Sequence, residues 1–481
     1  MRKRLLIVFG ILIIFRVLSH IPIPISDPQT LRTVLDGIFN NQNTPQFLSF
    51  VNVLSGGALA NFSIMLVGLG PYINASIIMQ LLTKALPKLE AMNKEGEFGR
   101  KKINQMTRLL TFPLAIIQSV GTIFLVRQQA AQYSGLSNIV NNASMSQWIL
   151  MVAALTGGAM LLMWLGELIT EQNIGNGISL LITVGIVSSL PSQILKFVGG
   201  IFSSDQRWNL FGMNLPIDKT AFFTTLVVFV IVILVTIFVV RLNEAQRRLT
   251  VNYAKRIQGN RTYGGVTTVL PVKLITAGVI PIIFAVAFLS VPSFLGQILS
   301  SNSSANLQNF GQTLNTWFQT PTAASLTSGD WHAYIYPIVY FVLVFLLTFF
   351  YTSITFNAPD IAENVQKQGG FISGVRSGLQ TEKYLSRVVN RLTFFGAIAL
   401  GLLAVVPIIA EALYAQGLAI TGTSILILVA VSLETLRQIE SRAMLITYSQ
   451  YDGSDFFQVV EKEEKKRFYK KLIKKPTKSK K

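Results

Sequence analysis

The stretch SGGALANFSIMLVGLGPYINASIIMQLL, residues 55–82, contains no charged residue. It is long enough to cross a bilayer, which requires about 20 apolar residues. Gly68, Gly70 and Pro71 lie in its middle. Proline lacks an N–H group and has a fixed φ, so Pro71 ends or kinks a helix. We therefore predict a membrane span that is interrupted here, with a helix following the break.

Composition places the rest of the chain in a membrane as well. Its 481 residues are 51% hydrophobic and 13% charged, whereas a soluble domain carries about 25% charged residues. The chain has no cysteine, and its two histidines, His20 and His332, are far apart. Disulfides, thiolate catalysis and cysteine–zinc sites are excluded, and we predict no metal site and no cofactor.

Ten apolar segments predict ten transmembrane helices, because lipid offers backbone polar groups no partner outside the helix. The basic N-terminus and the LLIVFGILIIF run after it are interpreted as a retained first span, since IPIPIS follows where a cleavable signal would have small residues. The segments lie near residues 5–21, 71–86, 107–126, 147–167, 178–198, 219–240, 272–299, 335–355, 392–411 and 420–437.

The positions of lysine and arginine orient these spans, because cytoplasmic loops carry an excess of both. Most of the 41 such residues lie at the N-terminus, in the 84–108, 241–273 and 367–391 regions, and from Arg437 onward. The loops on the other side hold or adjoin only Arg32, Arg127, Lys196, Arg207 and Lys219. We predict that both termini are cytoplasmic.

Ten spans divide into two halves of five, and an odd number gives the second half inverted topology. The second span of each half carries a break, at Gly70-Pro71 and at AGVIP, residues 277–281. Paired breaks of this kind indicate a working site between inverted repeats. The predicted fold class is all-α and polytopic, with halves at residues 1–200 and 219–437 and a basic cytoplasmic tail at 438–481.

Two predicted cytoplasmic loops are long and basic. In the 241–273 loop, Leu249, Val251 and Tyr253 alternate with polar residues, and GGVTTVL follows a turn sequence, which predicts a projecting β-hairpin. The 357–391 loop is polar and glycine-rich. Both suit docking of an acidic or polyanionic partner, although positive-inside bias alone also accounts for the charge. The external 300–334 loop is interpreted as a solvated cap.

The predicted spans contain almost no ionisable groups, which enzymes and ion-coupled transporters of the membrane usually need. Arg16 is well inside a span, and Glu167, Glu171, Glu411 and Glu434 lie near span ends. No GxxxxGK loop and no Ser/His/Asp or HExxH pattern occurs. We therefore predict a protein that is not an enzyme and that draws any energy from a partner. The isoleucines of the broken helices suit either a hydrophobic constriction or contact with lipid.

These motifs together resemble the SecY/Sec61-alpha family of protein-translocation channels. The similarity is collinear over nearly the whole chain. It rests on the opening stretch and on FRVLSHIPIPI (15–25), KEGEFGRKKINQMTR (94–108), MWLGELITEQNIGNGIS (163–179), QRRLTVNYAKR (246–256), LPVKLITAGVIPIIFA (270–285), FNAPDIAENVQKQGGFISGVRSG (356–378) and GTSILILV (422–429).

The resemblance implies an hourglass pore between the two halves, for unfolded preproteins that cross the bacterial cytoplasmic membrane or leave sideways into lipid. It implies a pore ring of Leu69, Ile73, Ile178, Ile182, Ile283 and Ile427. It implies a plug at about 55–66, including Ser55, Gly56, Gly57, Asn61 and Ser63. It implies a lateral gate between spans 2 and 3 and spans 7 and 8, with Ile77, Gln80, Thr276 and Pro281. It implies ribosome or SecA docking through Arg248, Lys255, Arg256, Arg261 and Arg376.

The implied partners are SecE, SecG, SecA, the ribosome, signal peptides and nascent chains, and membrane lipids. Ser377 replaces a proline frequent in the family, and Ile275 stands where many members have a polar gate residue. The lysine-rich tail, 462–481, suits either ribosomal RNA or anionic lipid. A secondary transporter of a small solute is the alternative function, and a purely structural scaffold is a third.

Overall fold

A computed structural model shows a helix at each of the ten predicted spans. It describes residues 2–23, 55, 58, 62–132, 144–202, 208–210, 213–215, 219–253, 255–258, 261–265, 267–300, 304–318, 321, 325, 329, 331–414 and 422–451. The span helices are α1 (Arg2–Leu18), α2 (Gly70–Ala85), α4 (Glu97–Gln132), α5 (Met145–Glu171), α6 (Gly177–Phe202), α7 (Lys219–Glu244), α8 (Ile280–Ser300), α10 (His332–Thr355), α12 (Leu379–Tyr414) and α13 (Gly422–Tyr451). The all-α polytopic fold predicted from the sequence is confirmed.

The helices differ in how far they can reach across a bilayer. In the described part of the chain, six are long and apolar enough to cross one by length and composition. Helix α2 has 16 residues and is therefore about 24 Å long, shorter than the roughly 30 Å hydrocarbon layer. It begins at Gly70-Pro71 because proline suits the first helical turn, where its missing N–H has no intrahelical partner. The predicted break is thus the start of a helix.

The predicted start of the seventh span is wrong. Residues 272 and 273 end a β-strand, Ile275 lies outside any helix, and α8 begins only at Ile280. Gly278 has φ +63°, a left-handed conformation that glycine adopts without steric cost. AGVIP is therefore the irregular entry to a helix, as VGLGP (residues 67–71) is for α2, and not a kink inside one.

The β-hairpin predicted in the 241–273 loop is confirmed, and it is larger than the sequence indicated. Strand β3 (Gln246–Tyr253) pairs antiparallel with β6 (Thr267–Lys273), and a distal hairpin of β4 (Lys255–Gln258) and β5 (Arg261–Gly264) lies between them. Strand β3 also pairs with β7 (Gly370–Ile372) from the other basic loop. A short pair, β1 (Trp208–Leu210) and β2 (Met213–Leu215), lies between α6 and α7.

The two basic loops share one small hydrophobic core. Its buried side chains come from β3, β6, β7, α11 (Ala358–Lys367) and the first turns of α12, and they are Leu249, Val251, Val272, Ala358, Ala362, Ile372, Leu385 and Val389. Asn252 Nδ2 donates to Ser373 Oγ at 2.8 Å, and Tyr253 Oη donates to Gln368 Oε1 at 3.2 Å. The loops predicted as separate features form one structural unit, which we call the loop domain.

The 300–334 segment contains a helix that the sequence interpretation missed. Helix α9 (Ala305–Trp317) packs on the outer end of α8 through glycines. A Cβ on Gly311 would lie 2.3 Å from the backbone N of Ser300, and one on Gly296 would lie 3.0 Å from the carbonyl O of Gly311. The backbones of α9 and the end of α8 are therefore in direct contact at these glycines. The remaining short helix, α3 (Pro87–Lys94), joins α2 to α4.

Candidate functional site

The predicted pore-ring residues lie in one apolar region of the structure. Leu69, Ile73, Ile182, Ile283 and Ile427 are all buried in the main hydrophobic cluster, and the half-buried Ile178 packs against it. They come from the cap and body of α2 and from α6, α8 and α13. Four helices distant in sequence thus contribute to one apolar cluster, and we call the part of it formed by these six residues the waist. The role of each side chain as a ring member stays a prediction.

The apolar cluster extends further along α2 than the predicted ring does. Leu69, Ile73 and Ile77 are spaced four residues apart, so they lie on one face of the helix, and all three are buried in the main cluster. The family resemblance places Ile77 in the lateral gate instead. Helical spacing could have indicated that it shares a face with Ile73.

The predicted plug is described only in part. Ser55 and Ser63 are buried, whereas Gly56, Gly57 and Asn61 lie outside the described residues. From Ser63 to Leu69 the chain forms irregular turns, nearly all of them buried. Ser63 Oγ accepts from the Met65 N–H at 3.0 Å, and Gly68 has φ +64°, so a compact turn leads directly into α2.

The end of this plug segment pairs with the chain that follows α1. The Ile23 N–H donates to the Phe62 carbonyl, and the Ile64 N–H donates to the Ile21 carbonyl, both at 3.0 Å. Together they form an isolated antiparallel bridge between Pro22 and Ser63. The sequence interpretation missed this pairing, for which the alternation in IPIPI was the available signal, since proline at every second position favours extended backbone.

The plug segment also rests on α5. A Cβ on Gly158 would lie 1.9 Å from the carbonyl O of Ile64, so only glycine admits the chain this closely. Phe62 is buried and has φ +45°, which is uncommon for a bulky residue. The segment is thus held by backbone bonds on one side and by a glycine contact on the other.

The helices predicted to form the lateral gate are in contact. Helix α8 contacts both α2 and α4. Gln80 Nε2 donates to Ser76 Oγ at 3.1 Å, while its buried Oε1 has no hydrogen-bond partner among the described residues. Thr276 Oγ1 donates to the Lys273 carbonyl at 3.2 Å. Pro281 is buried in the first turn of α8, and Ile275 is buried in the main cluster.

The predicted docking residues belong to the loop domain. Arg248 on β3 and Arg376, after β7, are exposed. Lys255 and Arg256 lie on β4 and Arg261 lies on β5, which places all three on the distal hairpin. Because β3 pairs with both β6 and β7, the structure brings the two predicted basic surfaces together on a single support.

An ion pair between α4 and α5 was not foreseen from the sequence. Arg108 Nε donates to Glu167 Oε1 at 2.7 Å, and the Glu167 side chain is 16% exposed. The two residues lie at the predicted cytoplasmic ends of consecutive antiparallel spans, so their positions alone could have indicated the pair. It joins a predicted gate helix to the helix that supports the plug segment.

These features define a class of protein. Apolar helices pack around one hydrophobic cluster, a short helix begins in it, and a buried segment precedes that helix. This arrangement suits a membrane channel that closes through apolar side chains. The sequence profile of the SecY family matches residues 63–436. The chain therefore belongs to the SecY family.

Known proteins agree with this assignment. The protein translocase subunit SecY of Streptomyces galbus is 40% identical over 454 residues, covering 93% of this chain and 96% of that protein. The same subunit of Mycobacterium tuberculosis (strain CDC 1551 / Oshkosh) is 37% identical over 456 residues, covering 93% and 96%. Family membership leaves the small-solute transporter without support.

Solved structures share the fold at low sequence identity. One described as "The structure of a protein conducting channel" has a TM-score of 0.62 at 18% identity, covering 90% of this chain and 91% of that one. Another, "Sec61 in the Canine ribosome-channel complex from the endoplasmic reticulum", has a TM-score of 0.58 at 17% identity, covering 90% and 91%.

Proposed function

We propose that this chain moves unfolded preproteins across the bacterial cytoplasmic membrane and releases apolar segments sideways into lipid. As a member of the SecY family it is a protein-conducting translocation channel, the function of the translocase subunits it is similar to. The observation that carries the finer proposal is that buried aliphatic side chains of four helices, including the start of α2, belong to one hydrophobic cluster.

An apolar waist suits a passenger of varied chemistry. Water leaves a narrow apolar constriction, so ions do not pass while it is closed. A polypeptide that displaces the waist side chains meets no fixed charge or hydrogen-bonding group that would select its sequence. Leu69, Ile73, Ile178, Ile182, Ile283 and Ile427 are proposed as the ring that closes around the chain.

The plug segment is proposed as the second seal. The bridge between Pro22 and Ser63 contributes two backbone hydrogen bonds, each worth about 0.5–1.5 kcal/mol net. That is weak enough to be released when a passenger enters. The remaining plug residues, Ser55, Gly56, Gly57 and Asn61, are proposed to move with it.

The lateral gate is proposed to open between α2 and α4 on one side and α8 and α10 on the other. Helices α2 and α8 contact each other, and Ile77 and Pro281 are buried apolar residues on them. A signal helix is proposed to insert between the two helices. Gln80 carries an unpaired buried oxygen, and burying such a group is costly. Opening the gate to a polar passenger or to water would satisfy it.

The chain is proposed to be a non-catalytic subunit that takes its energy from partners. SecA or the ribosome would dock on the loop domain through Arg248, Lys255, Arg256, Arg261 and Arg376. SecE and SecG are the proposed membrane partners. The distribution of lysine and arginine supports cytoplasmic termini, which place the loop domain on the side where SecA and ribosomes are found.

Crosslinking to a stalled passenger tests the proposal. The natural chain contains no cysteine, so Ile73→Cys and Ile283→Cys each introduce a single thiol. The chain is reconstituted in vesicles with SecE, SecA, ATP and a signal-bearing preprotein. The matched control is Leu234→Cys on α7, an apolar position outside the waist that is 60% exposed. We expect crosslinks at Ile73→Cys and Ile283→Cys and none at the control.

Two results would overturn the proposal. Absence of preprotein translocation in these vesicles would remove the function. Translocation without a crosslink at Ile73→Cys or Ile283→Cys would remove the pore-ring assignment.

A further inference from the structure

The two halves of the chain meet at an aromatic ring that rests on a glycine. Gly121 is buried on α4, which belongs to the first half, and Phe294 lies on α8, in the second half. A Cβ on Gly121 would lie 1.9 Å from Phe294 Cζ and 2.5 Å from Cε2. The edge of the ring therefore occupies the space that any other side chain at position 121 would need.

The contact lies outward of the waist. Gly121 is three residues from Gln118, so the two share a face of α4. Gln118 reaches the start of α2, because a Cβ on Gly70 would lie 3.0 Å from its Nε2. Phe294 follows the waist residue Ile283 by eleven positions on α8, a rise of about 16 Å. The contact thus lies beyond the waist on both helices, toward the C-terminal ends of α4 and α8.

The ring has few ways to move aside. Phenylalanine has two side-chain torsions, and the first is confined to staggered rotamers. Its backbone is held as well, because Gly296, two residues further on, lies at backbone distance from α9. A second ring packs on a glycine elsewhere, Phe341 on Gly401, but α10 and α12 both belong to the second half and that contact does not cross the gate.

On the proposed function, α4 and α8 must separate to let a signal helix leave. Separation exposes the Phe294 ring and empties the space above Gly121, so this contact adds to the cost of opening. We propose that Phe294 and Gly121 form an aromatic latch across the lateral gate. The latch sets how hydrophobic a passenger segment must be before it opens the gate, which makes both residues specificity-determining positions.

Four variants test the latch in vesicles that contain the chain, SecE, SecA and ATP: Gly121→Ala, Phe294→Leu, Gly121→Ala/Phe294→Leu and the control Gly157→Ala. Gly157 is also a membrane-helix glycine, but a Cβ there meets nothing within 4 Å. Each variant is given one preprotein with its natural signal and one whose signal core has two leucines changed to alanine.

We expect Gly121→Ala and Phe294→Leu to raise translocation of the weakened preprotein about five- to tenfold, the range of a modest packing change at a two-state element. Gly157→Ala is expected to match the unmodified chain. The methyl group that Gly121→Ala introduces clashes only with the Phe294 ring. Adding Gly121→Ala to Phe294→Leu should therefore raise translocation of the weakened preprotein by a smaller factor than adding it to the unmodified chain.

The outcomes separate the latch from the proposed function. The latch is wrong if Gly121→Ala and Phe294→Leu translocate the weakened preprotein no better than the unmodified chain while the natural preprotein is still translocated. That result leaves the proposed channel function intact. Multiplicative effects in the double variant also overturn it. Failure of the unmodified chain to translocate the natural preprotein overturns the proposed function itself. Thermal unfolding of each purified complex identifies any variant that fails to fold, and Phe294→Leu, which keeps most of the apolar volume, then carries the test.

Discussion

Adding one methyl group at Gly158 should loosen the plug segment. In the structure a Cβ at this position lies 1.9 Å from the Ile64 carbonyl O and 2.7 Å from its carbon. Heavy atoms rarely approach Cβ closer than 3.0 Å, so the segment must move by about 1 Å in this closely packed interior. The obstacle is backbone, which cannot rotate aside as a side chain could.

The expected magnitude follows from this displacement. Forcing an extra methyl group into a well-packed site costs about 1–3 kcal/mol. The cost falls on the seated state alone, because a displaced segment no longer contacts Gly158. A differential cost of this size changes the equilibrium between seated and displaced states by about 5- to 150-fold. The neighbouring Gly157→Ala is the control, since a Cβ there meets nothing within 4 Å and gains the same helix propensity.

The assay is leakage of a small anion from vesicles that contain the chain and SecE, without preprotein. We expect Gly158→Ala to leak faster than Gly157→Ala, and Gly157→Ala to match the unmodified chain. Thermal unfolding is measured on the same preparations. Equal leakage and equal unfolding temperatures for the two alanine variants would refute the assignment of Gly158 as the seat of the plug segment.

Three further predictions concern other contacts. Glu167→Gln removes the charge that faces Arg108 at 2.7 Å and should destabilise the complex by about 1–3 kcal/mol, measured as a lower unfolding temperature. Adding Arg108→Gln to this variant should lower the unfolding temperature no further. Additive losses in the double variant would contradict the ion pair. Phe62→Gly should be more stable than Phe62→Ala by about 1 kcal/mol, because a φ of +45° strains a residue that has a Cβ. Chemical denaturation of both variants measures the difference in unfolding free energy, and a more stable alanine variant would contradict the prediction. Arg376→Glu should weaken SecA-dependent translocation at least tenfold, whereas Lys383→Glu, also exposed but on α12, should have little effect; equal losses would contradict a specific docking role.

The breaks in the spans could be predicted because proline and glycine act locally. Pro71 begins α2 at the position its missing N–H allows. The same reasoning located the break at Pro281 but wrongly assigned the residues before it to a helix. An apolar run such as LITAGVIPIIFA suits a helix or an irregular buried turn equally well, and Val272 belongs to a strand only because β3 lies beside it.

The hairpin of the 241–273 loop was predictable for a similar reason, since strand alternation is a local pattern. The pairing of β3 with β7 could not be predicted, because Val251 and Ile372 are 121 residues apart. No local pattern indicates which distant strand will pair with an edge of β3. Helix α9 was missed because its sequence, ANLQNFGQTLNTW, is polar and resembles a solvated loop.

The sequence by itself determined that this chain is a polytopic membrane protein, where the proline-led starts of two of its helices lie and which family it resembles, and it predicts which side carries the basic loops. These properties follow from hydropathy, charge and proline, each of which acts on its own stretch of chain. Only the tertiary structure decided that Gly158 meets Ile64, that Gly121 meets Phe294 and that Arg108 meets Glu167. A glycine at a close contact and a glycine facing open space look the same in a sequence, because what distinguishes Gly158 from Gly157 is a neighbour that folding brings from another part of the chain.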